Sequence, residues 1–147
     1  MAQPVHYLRQ YLAHHWRFQR RIVHHHTGQV ADVRGAASWR DVSESDAAPT
    51  LLYREAGVIR LEHYTGKATQ THCYRLLSPA VADVYFSDGR YFHTLDLSDS
   101  RCEIEHPCGE DMYRGVCDAI SDTTYRQVWR VTGPDKDYTS ETTFVRL

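Results

Sequence analysis

The sequence lacks the features that mark several common classes of protein. It contains no apolar run near the ~20 residues of a membrane-spanning helix, and its N-terminal stretch has no uninterrupted apolar segment of the kind found in signal peptides. The four cysteines form no CxxC pair, and there is no glycine-rich phosphate loop and no CxxCH haem-attachment motif. We therefore expect a cytoplasmic protein with free thiols.

An excess of charge of one sign is also missing. With 17 Lys and Arg against 19 Asp and Glu, the net charge of −2 gives no electrostatic footprint for nucleic acid, and we expect neither a nucleic-acid nor a membrane partner. The hydrophobic content of 41% is ordinary for a globular protein, and 147 residues suffice for one domain spanning residues 1–147. Abundant instead are tyrosine and histidine, with 10 residues each.

Apolar and polar residues alternate along most of the chain after a short amphipathic helix predicted over residues 4–12. The alternation begins at Trp16 and continues to the C-terminus in about nine segments, separated by short turns and by a polar loop over residues 42–50. Nothing resembles a βαβ crossover. The pattern predicts an all-β fold, an antiparallel up-and-down barrel of about 8–10 strands with the helix capping one end. A barrel of this size can hold one small ligand.

The stretch from Val84 to Gly115 is the most informative part of the chain. Asp88-Gly89 predicts a two-residue hairpin turn that places Val84 opposite His93 and Phe86 opposite Tyr91. A four-residue loop over 98–101 then places His93 opposite His106, with Cβ atoms about 4.5–5.5 Å apart. Two histidines would thus face each other inside an otherwise apolar wall, which suits an acid/base couple.

The other hairpins place further polar groups inside the barrel. A two-residue loop at Thr27-Gly28 pairs Arg20 with Gly35 and Trp16 with Trp39, and a turn at Thr65-Gly66 brings the strand of Glu55 beside the next strand. Arg20 and Glu55 are interpreted first as a buried ion pair that fixes the strands. The inward-facing residues predicted to bind a ligand are Arg20, Tyr53, Glu55, His72, Phe86, Tyr91, His93, His106, Tyr113 and Trp129, with Lys136 at the barrel mouth.

Motifs spread over nearly the whole chain resemble those of a known family. They include Trp16-Arg17-Phe18, Leu52-Tyr53-Arg54-Glu55, Asp88-Gly89-Arg90, His106-x-Cys108-Gly109-x-Asp111-x-Tyr113-Arg114-Gly115 and Trp129-Arg130-Val131-Thr132-Gly133-Pro134. The chain is similar to domain-of-unknown-function family 6314, small, mainly bacterial and fungal proteins with a predicted lipocalin-like (calycin) barrel. The resemblance implies this fold and no activity. The run His24-His25-His26 departs from the family pattern.

Several chemistries remain open at this point. Binding of a small molecule in the barrel is placed slightly ahead of an acid/base enzyme (isomerase, cyclase, dehydratase or hydrolase) that uses His93 and His106 as catalytic residues, and ahead of a non-covalent haem carrier. No other cofactor and no metal are predicted, because His24 to His26 are interpreted as a solvated hairpin tip. Cys108 is disfavoured as a nucleophile, since Pro107 separates it from His106. Homodimerisation is left open.

Overall fold

The alternating segments form ten antiparallel strands preceded by one short helix. The structure is a computed structural model that describes residues 2–147. Its elements are α1 (Leu8–Leu12), β1 (His15–His24), β2 (Val30–Asp41), β3 (Thr50–Leu61), β4 (Tyr64–Ser78), β5 (Val81–Phe86), β6 (Tyr91–Asp96), β7 (Arg101–Cys108), β8 (Asp111–Ser121), β9 (Thr124–Thr132) and β10 (Asp137–Arg146).

All ten strands belong to one sheet that curves into a nearly closed barrel. The strand order is β6-β5-β4-β3-β2-β1-β10-β9-β8-β7, so each strand pairs with its neighbour in sequence and the first strand pairs with the last. The seam lies between β6 and β7, where no backbone ladder is found in residues 2–147. The predicted up-and-down barrel is therefore confirmed. None of the helices in the described part of the chain is long and apolar enough to cross a membrane.

The helix closes one end of the barrel, as expected, but it is shorter than predicted. The residues before it are not helical because their backbone amides bond to strand ends: Gln3 N–H donates to the Ala119 carbonyl and Val5 N–H to the Leu97 carbonyl. The helix therefore begins only at Leu8. The hydroxyl of Tyr11 then donates to the Ser121 and Thr124 carbonyls, which fixes the helix over this end.

The predicted register of the first hairpin is wrong by two residues. Arg20 pairs with Val33 instead of Gly35, and Trp16 pairs with Ala37. The turn is longer than two residues, since His24 N–H donates to the Gln29 carbonyl at 2.9 Å. A shift of two keeps every side chain on its predicted face. Arg20 accordingly points inward, with only 15% of its side chain exposed.

The next two hairpins differ from the predictions in their turns. β3 ends at Leu61 and β4 begins at Tyr64, so the chain turns before the predicted Thr65-Gly66. In the β5–β6 hairpin Val84 does face His93, as predicted, but Tyr85 instead of Phe86 pairs with Tyr91. The turn is a three-residue loop, with Gly89 at φ 90° and the Phe86 amide bonded to the Arg90 carbonyl. The extra residue makes a bulge that turns Tyr91 outward.

The predicted pairing of His93 with His106 is also wrong. After the turn at Leu97 to Ser100, the Ser100 carbonyl accepts a hydrogen bond from the Ala119 amide, which directs β7 onto β8 and away from β6. His106 pairs with Tyr113 of β8. Contacts across the seam include the Cys102 thiol, whose Sγ lies 3.8 Å from the Thr94 carbonyl oxygen.

The barrel interior divides into two halves. The closed half, under α1, is filled by fully buried side chains: Leu8, Leu12, Trp16, Trp39, Leu51, Leu95, Leu97, Tyr125 and Phe144. The open half lies toward the turns over residues 24–30, 61–64, 86–91, 108–111 and 132–137. Because odd hairpins of an up-and-down barrel turn at one end, these five turns surround a single mouth.

Candidate functional site

The open half contains a cavity of ≈ 320 Å³. This volume lies at the lower end of the range of small-molecule sites. The predicted ligand-binding residues that line it are Arg20, Tyr53, Glu55, His72, Phe86, His93, Tyr113 and Trp129. Parity along each strand placed them correctly on the inner face, and their role in binding stays a prediction.

A charged pair forms one wall of the cavity. The Arg20 guanidinium bonds Glu55 in a two-pronged manner, Nη1 to Oε2 and Nη2 to Oε1, both at 2.8 Å. Arg20 Nε donates to Thr142 Oγ1 at 2.7 Å, and the Tyr53 hydroxyl donates to Glu55 at 2.5 Å. Three of the five guanidinium N–H groups are thereby used. The pair satisfies and neutralises itself, as the structural interpretation required.

Burial and the pair together shift the protonation of this wall. Burial lowers the pKa of Arg20, but the hydrogen bonds and charge of Glu55 outweigh it, so that the pKa of Arg20 is raised overall. Burial, followed by the Glu55 charge, holds the pKa of Tyr53 well above its ordinary value. Arg20 is therefore charged and Tyr53 neutral across the physiological range.

Stacked aromatic rings form the opposite wall. The rings of Phe86 and Phe92 lie 4.4 Å apart and 16° from parallel, and Phe92 continues onto Trp129 at 5.0 Å and 25°. Gly115 makes this possible, because a Cβ at that position would lie 2.6 Å from a Trp129 ring carbon. The wall offers a flat apolar surface to a ligand.

The histidines of the site occupy three different environments. His93 is 4% exposed, and its Nδ1 has no hydrogen-bond partner within the described residues. Burial lowers the pKa of His93 to about 4, so its imidazole is neutral at pH 7. His72 donates from Nδ1 to the Tyr85 carbonyl at 3.3 Å, and burial lowers its pKa as well. His106 is half-buried.

The catalytic role predicted for His93 and His106 stays a prediction, although the two residues do not pair across a ladder. Phe92 contacts both, at 4.7 Å from the His93 ring and 5.4 Å from the His106 ring, whereas no ring contact joins the histidines to each other in the part of the chain that the structure describes. His106 instead contacts Tyr113 at 6.0 Å and lies outside the cavity lining, against the seam.

Two other predicted residues lie outside the cavity. Tyr91 is 49% exposed on the outer surface, which corrects the prediction that it faces inward. Lys136 stands at the mouth, where its ammonium group contacts Asp111 at 3.0 Å and donates to the Tyr113 hydroxyl at 3.1 Å. These contacts, led by the bond to Tyr113, raise the pKa of Lys136. The mouth is thus bordered by a paired charge.

Sequence reasoning missed several lining residues. Phe92 is the clearest case, because its inward direction depends on the β5–β6 bulge. Three more lining residues are Gln70, Gln127 and Thr142. Each lies an even number of positions along its strand from an inward residue (His72, Trp129 and Tyr138), so the sequence could have identified them. The missing signal for Phe92 was the loop length, since Asp88-Gly89 serves two- and three-residue loops alike.

The remaining candidates lie at the mouth or on the surface. Cys108 is half-buried opposite Asp111 beside the turn, and Cys73, Cys102, Cys108 and Cys117 are all free thiols. His25 Nε2 lies 2.8 Å from Thr139 Oγ1, and His26 lies 3.7 Å from the Asp137 carboxylate. No group of three or more potential metal ligands occurs within residues 2–147.

Comparison with known proteins agrees with the fold. No curated protein matches the sequence. Among solved structures, the S-type phycobiliprotein lyase CPES from Guillardia theta superposes with a TM-score of 0.68 over 94% of this chain and 89% of that chain, at 12% identity. At this identity the likeness concerns the fold alone. The model of a family of unknown function, DUF6314, matches residues 12–146, and the chain belongs to this family.

Proposed function

We propose that the protein binds a small organic molecule in the cavity of the open half. The observation that carries the proposal is the cavity itself: a flat aromatic wall of Phe86, Phe92 and Trp129 faces the Arg20–Glu55 pair across a space of ≈ 320 Å³. An apolar wall with a few fixed polar groups is the usual composition of a small-molecule site.

The contrast with the closed half supports this interpretation. The same strands that fill the closed half with large aromatic side chains leave space in the open half. A core selected only for stability would be filled, because empty volume costs dispersion contacts. The structural neighbour, a phycobiliprotein lyase, indicates that a barrel of this fold is used for function elsewhere, and the present proposal does not extend its activity to this chain.

The charges of the site point to a ligand without net charge. Arg20 and Glu55 neutralise each other, and His93 is neutral at pH 7 because burial lowers its pKa to about 4. A charged ligand would lose its hydration in this cavity and find no unpaired opposite charge to compensate for the loss. The two guanidinium N–H groups of Arg20 that make no bond within residues 2–147 are available to a carbonyl or hydroxyl oxygen.

Binding has more support than acid/base catalysis by the two histidines. His93, with a pKa of about 4, is a poor proton acceptor at neutral pH. An acid/base couple would also need both histidines to reach one substrate, but the Phe92 ring contacts both imidazoles and only His93 lines the cavity. An absorbance scan of the purified protein tests the haem alternative directly. A Soret band lost on His93→Phe would assign haem as the occupant.

Native mass spectrometry tests the proposal. The protein is incubated with a small-molecule cell extract and desalted, and we expect one bound mass. Ser140→Leu places an apolar side chain in the cavity and should abolish this mass. Thr143→Leu, on the outer face of the same strand, is the matched control and should retain it. Absence of any bound mass, or equal occupancy in Ser140→Leu, would overturn the proposal.

A further inference from the structure

The outer surface of β1 to β4 is strongly basic, although the chain as a whole carries a net charge of −2. The registers set which side chains point outward, and on these four strands the only outward carboxylate is Asp32. Each strand contributes two outward cationic side chains, all exposed: Arg17, Arg21, Arg34, Arg40, Arg54, Arg60, Lys67 and Arg75. We call these eight residues the basic face.

The cations of the basic face are almost all unpaired. Only Arg34 has a carboxylate partner within residues 2–147, namely Asp32 at 3.0 Å. The opposite side of the barrel behaves differently. Every outward arginine of β7 to β10 is ion-paired there: Arg101 with Glu103 and Asp118, Arg114 with Glu105, Arg126 with Glu141 and Arg130 with Asp137.

Adjacent unpaired cations repel one another and contribute nothing to folding. The opposite side shows that this chain elsewhere pairs its outward arginines with its own carboxylates. Guanidinium groups bind carboxylates in a two-pronged geometry that lysine does not match, and seven of the eight cations are arginines. The basic face therefore has the composition of a surface whose counter-charges come from another molecule.

We propose that the basic face docks an acidic surface of a partner protein. Between the arginines lies a shallow depression lined by small and hydroxyl-bearing side chains, among them Ala36, Ser38, Ala56, Thr69 and Thr71. Such side chains let a partner backbone approach closely and offer hydroxyls to it. Complementary charge then sets the orientation and the rate of association. This inference is independent of the cavity and of its ligand.

The composition of the face favours a protein over the other anionic partners. No Phe, Tyr or Trp occupies an outward position on β1 to β4, so the face has no platform on which unpaired bases stack. The exposed apolar residues at outward positions of these strands are Val30, Val58 and Leu77, which lie on three different strands and form no apolar stripe of the kind that inserts into a membrane surface.

Fluorescence anisotropy tests the proposal with three probes: a labelled peptide of alternating glutamate and serine, a mixed-sequence DNA duplex, and phosphatidylserine vesicles. We expect the full-length protein to bind the peptide best, with affinity that falls as salt is added. The triple variant Arg17→Gln, Arg40→Gln, Arg54→Gln removes three unpaired cations and should weaken peptide binding about 8- to 27-fold, at roughly a factor of two to three for each charge pair.

The matched control removes the same charge from the opposite side, through Arg101→Gln, Arg114→Gln and Arg126→Gln. Its peptide affinity should stay within about twofold of the wild type, because those arginines are already paired. Equal losses in the two variants, tighter binding of DNA or vesicles than of the peptide, or no binding of the peptide by the wild type at low salt would each overturn the proposal. Circular dichroism confirms that both variants fold.

Discussion

The two halves of the barrel are built on the same strands and filled in opposite ways. Along β1 the inward residues change from Trp16 and Phe18 to Arg20, and along β9 they change from Tyr125 to Gln127. In the closed half Trp39 lies 4.6–6.1 Å from five other aromatic rings. The open half holds the ion pair, the buried histidines and the cavity. The tightly packed aromatic core therefore lies at one end and the candidate ligand site at the other.

The largest expected effect is the removal of an aromatic side chain from the closed half. Trp39 is 2% exposed, so Trp39→Ala should lower the free energy of unfolding by about 3–5 kcal/mol through lost burial and the cavity it leaves. Trp129→Ala is the matched change in the open half. It should cost about 2 kcal/mol or less, because Trp129 already borders empty space. Urea unfolding measures both, and equal losses would contradict the division.

Removal of one member of the buried ion pair comes next. Glu55→Gln leaves the Arg20 charge without its counter-ion in a wall that is largely closed to solvent, and should cost about 3 kcal/mol. The double variant Arg20→Met, Glu55→Leu should recover most of that loss, since apolar side chains of similar volume replace both charges. Arg126→Gln breaks an exposed pair and should cost less than about 1 kcal/mol.

If the double variant is as stable as the wild type but binds no ligand, the pair serves binding more than stability. This outcome would strengthen the contrast between the two halves, because it would show that the open half keeps a buried ion pair for binding and not for stability. A double variant as unstable as Glu55→Gln would instead make Arg20 and Glu55 a structural clamp, as the first interpretation of the sequence held.

Acid should destabilise the open half selectively. The pKa of His93 is about 4 in the folded protein against about 6.5 when unfolded, so the unfolded state binds the proton more readily. This contribution to stability is complete above pH 6.5 and is lost as the pH falls toward 4. Between pH 7 and pH 5 the wild type should lose about 2 kcal/mol from this group alone.

His93→Phe should remove that part of the pH dependence. The titratable groups of the closed half should not contribute to this pH dependence. Burial raises the pKa of Tyr11, Tyr125 and Cys117, so all three stay neutral between pH 5 and pH 7. Urea unfolding at the two pH values measures the difference. If the variant loses as much stability as the wild type between pH 7 and pH 5, His93 is not the group that titrates.

The sequence predicted the inward face of each strand better than the pairing between strands. Period-two alternation was enough to place Arg20, Glu55, His72 and His93 inside, because a register error of two residues does not change the face. A bulge adds a single residue and therefore does change the face. It turns Tyr91 outward and Phe92 inward, the opposite of the predicted directions. Bulges depend on local turn geometry that Asp-Gly alone does not specify.

The seam and the basic face were missed for a different reason. Connectivity between β6 and β7 suggested a ladder, but the bond from the Ala119 amide to the Ser100 carbonyl is a contact distant in sequence. Net charge averaged over the chain concealed the basic face, although the parity that placed Arg20 inside also places Arg17 and Arg21 outside. Charge counted separately for the outer positions of each strand would have revealed it.

The smallest expected effect concerns the mouth of the open half. Lys136 contacts Asp111 and the Tyr113 hydroxyl with 43% of its side chain exposed, so Lys136→Met should change the free energy of unfolding by less than about 1 kcal/mol. Its effect on the ligand should be larger than its effect on stability, because Lys136 holds Tyr113, which lines the cavity. Native mass spectrometry should therefore detect reduced occupancy in a variant whose urea midpoint is nearly unchanged.

Arg114→Met, on the outer face of β8 beside Tyr113, is the matched control and should leave both quantities unchanged within error. A loss of stability beyond 1 kcal/mol in Lys136→Met would mean that the mouth, like the closed half, is part of what holds the barrel together.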